Sequence, residues 1–114
     1  MSFEDALKRL AEKWPEKFNF NADPLLRISD GIHQRHIAPA KITQDDLDEI
    51  LALIGWEYEI HRTLDGWFEY HHRVYTDGRL GANVGHFQLA AFAHPTKLEA
   101  AKAALIAVVE KEVQ

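Results

Sequence analysis

With 114 residues, 46% of them apolar and 27% charged, the chain has the size and balance of one globular domain. It contains no cysteine, which excludes disulfides, thiol catalysis and thiolate metal sites. Its 13 Lys and Arg against 18 Asp and Glu give a net charge of −5, the wrong sign for the basic field that tight non-specific nucleic-acid binding needs.

Residues 2–14 predict a helix. Ser2 is a good N-cap with Asp5 three residues on, a variant of the capping box. Phe3, Leu7, Leu10 and Trp14 fall on one helical face, and Pro15 stops the helix. Residues 15–42 read as an irregular segment. Phe18 and Phe20 pin it to the core. Asp23 and Pro24 resemble an N-cap with proline at the first helical position, so Leu25, Leu26 and Ile28 are expected in a short helix ended by Gly31. Ile32 to Lys41 shows no period, and Pro39 favours extended chain.

The next helix starts at Thr43. Asp45, Asp46, Asp48 and Glu49 crowd its first turns, where the helix dipole favours anions. Leu47, Ile50, Leu51 and Ile54 form its buried stripe, and Gly55 is the C-terminal stop.

From Trp56 the period changes to two, the strand signature. Trp56, Tyr58 and Ile60 alternate with Glu57, Glu59 and His61. Phe68, Tyr70, His72 and Val74 alternate with Trp67, Glu69, His71, Arg73 and Tyr75. A two-residue Asp65-Gly66 turn would set Ile60 against His71. A three-residue loop, Leu64 to Gly66, instead pairs Ile60 with Tyr70, Tyr58 with His72 and Trp56 with Val74. On the other face it pairs His61 with Glu69, Glu59 with His71 and Glu57 with Arg73. The second register satisfies both faces and is the one expected. A third strand is expected over His86 to Ala93, with Phe87, Leu89 and Ala91 inward, after a glycine-bearing loop from Thr76 to Gly85. Thr96 and Glu99 form a capping box for a last helix running to about Glu112, with Leu98, Ala101, Leu105 and Val108 as its stripe.

The expected fold is therefore α+β. It is a two-layer sandwich in α-α-β-β-β-α order, with a three-stranded antiparallel sheet and the helices on one face. One domain covers 1–114, with an N-terminal helix and irregular segment over 1–42 and an α-β-β-β-α core over 43–114. No apolar run approaches the roughly 18 residues of a membrane span. The opening MSFEDALKRL lacks the long apolar stretch of a signal peptide, so a cytoplasmic location is expected.

The open sheet face would carry Glu57, Glu59, His61, Trp67, Glu69, His71, Arg73, Tyr75, His86 and Gln88. Trp and Tyr beside Arg are enriched where proteins meet proteins, so Trp67, Arg73 and Tyr75 are the expected anchors of a partner-binding surface. The bland alternative is a solvated face whose ion pairs set register. His61, His71, Glu59 and Glu69 also cluster there, a set that could hold a divalent metal or do acid–base chemistry. No second catalytic signature accompanies them, and no enzyme activity, cofactor or metal is expected. His33 and His36 have HxxH spacing but no following Glu, and read as surface. Arg27, His33, Arg35, His36 and Lys41 form the one basic stretch, suited to phosphate, to an acidic protein or to the chain's own Asp45–Glu49 helix start.

Two resemblances follow from particular motifs. Gly66-Trp67 in the hairpin, Ala91-Phe92-Ala93 and the PTKLEAAKAAL helix make the half from Trp56 to Val113 similar to small phage- and prophage-encoded α/β sandwich proteins. That resemblance implies a non-enzymatic accessory protein, such as an inhibitor that occupies a host defence protein. Leu10-Ala11-Glu12-Lys13-Trp14-Pro15 with Phe18, Pro24-Leu25, and Arg73 to Gly78 resemble elements of the FinO/ProQ RNA chaperones, which implies RNA binding. The chain departs from that family in its net charge and its thin basic face. The expected function is a protein-binding module with a protein partner or a second copy of itself. Neither nucleic acid nor membrane is an expected partner. An RNA binder and a His/Glu metal enzyme are the alternatives.

Overall fold

The computed structural model describes residues 1–21, 25–62, 64, 68–75, 84–87 and 94–112, the stretches 69–75 and 84–87 as backbone. Among the described residues, three α-helices and two three-stranded antiparallel sheets make the chain α+β. In chain order these are α1 (Phe3–Lys13), β1 (Phe18–Phe20), β2 (Leu26–Ser29), β3 (Gln34–Ile37), α2 (Gln44–Leu53), β4 (Trp56–Arg62), β5 (Phe68–Tyr75), β6 (Val84–Phe87) and α3 (Lys97–Glu112).

The helices begin where their caps dictate. The Ser2 hydroxyl accepts from the Asp5 N–H at 3.1 Å, and Thr96 accepts from the Glu99 N–H at 3.1 Å. Thr43 and Asp46 form a full capping box, each side chain accepting from the other residue's backbone N–H at 3.2 and 2.9 Å. Gly55, at φ 82°, follows the last turn of α2 and takes the left-handed conformation that lets the chain leave directly into β4.

The expected short helix between Leu25 and Gly31 is instead a strand, and the irregular segment is a sheet in the order β1-β2-β3. Phe18 pairs with Ile28, Phe20 with Leu26, and Leu26 with Ile37. Phe18, Leu26 and Ile28 are thereby buried on one face, which a period of two achieves and a helical period does not. Gly31 has the positive φ, 97°, anticipated for a stop, but uses it in the β2–β3 turn. Asp30 closes that turn: its Oδ1 accepts from the backbone N–H groups of Ile32 at 2.8 Å and His33 at 2.6 Å. Those two bonds hold the Asp30 carboxyl below its ordinary pKa. Pro39 opens a 3₁₀ turn, Pro39–Lys41, rather than extended chain, since its fixed φ suits a first helical position. Asp23 and Pro24 lie outside the described residues.

The second sheet runs β4-β5-β6. Its first pair has the expected register throughout: Trp56 with Val74, Glu57 with Arg73, Tyr58 with His72, Glu59 with His71, Ile60 with Tyr70 and His61 with Glu69. The third strand starts earlier than expected, at Val84 rather than His86, and Gly85 pairs with Val74 instead of belonging to the loop. Leu89 and Ala91 lie outside the described residues. His94 and Phe68 exchange two backbone bonds of 2.8 Å.

One core cluster draws on both sheets and all three helices, including Leu7, Leu10, Phe18, Ile28, Leu47, Trp56 and Leu105. Helix α3 packs against α1, α2, β4 and β5, so it is buried on more sides than its expected stripe. Ala100, Ala104 and Val109 are buried together with Ala101, Leu105 and Val108. Its many alanines permit that close approach, because a methyl side chain holds a neighbouring element off the helix axis less than a leucine does.

Candidate functional site

Strand β4 alternates in sequence, and its burial falls from Trp56 to an exposed His61 and Arg62. Trp56 is 2% exposed, and Tyr58 and Ile60 pack against the core cluster. The intervening Glu57, Glu59 and His61 are half-buried, half-buried and exposed. His61 Nε2 lies 3.2 Å from Glu59 Oε2, so the two side chains meet along one face of the strand. The register sets Arg73, His71 and Glu69 opposite Glu57, Glu59 and His61. Tyr75 lies one pair further along the sheet, opposite Val84. Trp67 lies outside the described residues. Among the described residues, no group of three or more His, Asp or Glu side chains is placed to hold a metal ion.

Behind that face, Trp56 is fixed by more than apolar contact. Its indole N–H donates to Glu112 Oε1 at 2.8 Å, and Glu112 Oε2 lies 3.5 Å from the Lys13 ammonium. The Lys13 ammonium also donates to the Glu112 main-chain carbonyl. One carboxylate thus joins the end of α3 to β4 and to α1. Tyr58 has no such arrangement. Its hydroxyl is buried without a well-formed hydrogen bond. Burial first, and then the carboxylates of Asp48 and Asp45, push its pKa well above the phenol range.

One residue of the basic stretch serves the fold. Arg35, on β3, reaches the start of α2: its Nη2 lies 2.6 Å from Asp46 Oδ1 and 2.5 Å from Glu49 Oε2, and its Nε donates to the same Glu49 oxygen at 3.0 Å. The Glu49 bond, aided by Asp46, raises the arginine pKa. Burial works to raise the Asp46 pKa, but the Thr43 N–H and Arg35 outweigh it and hold that carboxyl below its usual range. Of the alternatives open to the basic stretch, Arg35 takes the chain's own acidic helix start. Arg27 donates to Gln34 Oε1 at 2.9 Å. His33 stands exposed in the β2–β3 turn and His36 exposed on β3, so their HxxH spacing does not put them on one helical side.

A separate apolar groove of about 740 Å³ lies between α1 and the near ends of β1 and β2, walled by Leu7, Phe20, Leu25 and Pro39 with Glu4 and Lys8 at its edge. Nothing in the sequence announced it, because Phe20 and Leu25 are indistinguishable there from ordinary core residues. No helix among the described residues is long and apolar enough to cross a membrane. Comparison with protein-family models, with curated proteins and with solved structures finds no match to this chain.

Proposed function

We propose that this chain is a non-enzymatic protein-binding module whose contact surface is the face of the second sheet turned away from the core. In this reading the sheet and the helices packed on it form a two-layer sandwich with one face left for a partner. The supporting observation is the split within β4: Trp56, Tyr58 and Ile60 are taken up by the core, while Glu57, Glu59 and His61 keep access to solvent opposite Arg73, His71 and Glu69. Mixed charge along the paired rows of β4 and β5, in a sequence that adds Trp67 and Tyr75, suits a polar, aromatic-anchored contact with another protein, for which an inhibitor of a host protein is one model.

The test is to capture binders from a cell lysate, purify the captured protein and titrate it against variants. Trp67→Ala, Arg73→Ala and Tyr75→Ala are each expected to weaken binding tenfold or more, with thermal stability little changed. Equal affinity for all three variants would reject this face. A ligand that proved to be structured RNA, with affinity falling steeply as salt rises, would favour the RNA-binding alternative. The engagement of Arg35 by Asp46 and Glu49 speaks against that outcome.

A further inference from the structure

Among the described residues the two sheets have four edge strands, and β4 is the longest. It has seven residues, against three in β1 and four each in β3 and β6. Among the described residues no strand pairs with its outer edge. An edge of this length is a template for another strand, and proteins that must avoid pairing interrupt such edges with proline, lysine or a bulge. The sequence Trp56-Glu57-Tyr58-Glu59-Ile60-His61-Arg62 contains neither proline nor lysine, its charges at Glu57, Glu59 and Arg62 are of both signs, and its pairing with β5 runs without a bulge.

We infer that two copies of this chain join edge to edge through β4, antiparallel about a two-fold axis at Ile60, making one continuous six-stranded sheet. This does not rest on the function proposed above: main-chain pairing along the edge carries it, and Glu59 and His61 of the face only set its register. The occupant follows from self-complementarity. With Ile60 opposite its own copy, Glu59 falls opposite His61 of the second copy, twice by symmetry, and Tyr58 falls opposite Arg62. Apolar thus meets apolar at the centre, carboxylate meets imidazole on either side, and a cation meets an aromatic ring beyond. Moving the axis by one residue shifts the pairing by two and keeps the apolar rows on the same side of the sheet, so the opposed charges decide the register. Centring on Glu59 opposes two like carboxylates, and centring on His61 sets Ile60 against Arg62. Of the residue-centred registers, the one at Ile60 alone opposes no like charges and keeps Ile60 against an apolar partner, in the self-complementary form an isologous interface takes.

The chain has no cysteine, so introduced thiols report the register cleanly. Directly opposed residues in an antiparallel pair have Cα atoms about 4.5–5.5 Å apart, within disulfide reach, whereas residues two positions out of register are about 8 Å apart and beyond it. An equimolar, oxidised mixture of Glu59→Cys and His61→Cys chains is expected to give predominantly mixed 59–61 dimers. Each variant oxidised alone should give few. Both substitutions are on the solvent-facing side of β4, so they leave the core intact. Ile60→Cys should cross-link to its own copy. Sedimentation of the wild-type chain is expected to show twice the chain mass at tens of micromolar, unchanged in Trp67→Ala and Tyr75→Ala. A monomer up to about 100 μM would overturn the inference. So would a dimer that dissociates in those two face variants, or one that forms no mixed disulfide. The proposed partner-binding face would stand or fall separately on its own titration.

Discussion

Phe18, Leu26 and Ile28 make the inner side of the first sheet part of the core, and Arg35 then fastens its outer strand to α2 through Asp46 and Glu49. The second sheet is built differently. Strand β4 packs Trp56, Tyr58 and Ile60 into or against the core and lines up its odd-numbered charges with those of β5, while its outer edge carries no strand among the described residues. Strands of three or four residues are too short to be stable by pairing alone, so tertiary burial and an ionic clip must hold them. Strands of seven and eight residues can carry their own cross-strand pairs and leave a face and an edge for other uses.

If that contrast holds, the largest effects belong to the first sheet. Phe18→Ala is expected to lower the unfolding free energy by about 3–5 kcal/mol in denaturant titration, the usual result of emptying a fully buried aromatic site. A loss below about 1 kcal/mol would mean that the first sheet is only loosely docked. Asp46→Ala removes both the capping box and one arm of the clip, and is expected to cost about 1–2 kcal/mol. This loss should depend on pH. The native Asp46 pKa lies below its unfolded value, so the native state binds that proton less readily than the unfolded chain. The stabilisation is therefore complete above the unfolded pKa, near 4, and is lost as pH falls through the native one. The gap between wild type and variant should narrow in acid. A gap independent of pH would show that the carboxylate's charge contributes nothing to the clip.

The same contrast explains what could be read before any coordinates. The β4–β5 register was legible to the residue because two constraints, apolar on one face and opposite charge on the other, had to be met by one loop length. The caps at Ser2, Thr43 and Thr96 were legible for a similar reason, each being a local hydrogen bond with a fixed spacing. In the first sheet, Leu25-Leu26-Arg27-Ile28 is compatible with a helical turn or with a strand, and only burial of Leu26 and Ile28 in the core decides between them. The Arg35 clip could be listed but not selected, since its partners lie in another element and any acidic surface would have served. The site face was legible as a row of positions in β4 and β5. The groove beside α1 was not, because a cavity is a property of how elements meet and leaves no mark on local periodicity.

Within the second sheet two smaller effects sharpen the comparison. Tyr58→Phe is expected to raise stability by up to about 1 kcal/mol, because it removes a buried hydroxyl that lacks a well-formed hydrogen bond. A loss of similar size would show that Asp48 accepts from that hydroxyl in solution.

The smallest effect is expected where the charges are most conspicuous. Glu57 is half-buried on the solvent side of β4, opposite Arg73 in the register. Cross-strand ion pairs in such places contribute only a few tenths of a kcal/mol, since water screens them and long side chains lose entropy when held. A double-mutant cycle of Glu57→Gln with Arg73→Gln is therefore expected to give a coupling of about 0.2–0.5 kcal/mol. A coupling well above about 1 kcal/mol would make this face a second structural clip, equivalent to Arg35 in the first sheet, and would remove the reason for reading it as a surface kept for a partner. A small coupling, together with loss of partner binding in Arg73→Ala, would separate the two roles: charges in the first sheet hold the fold, and charges in the second select what it meets.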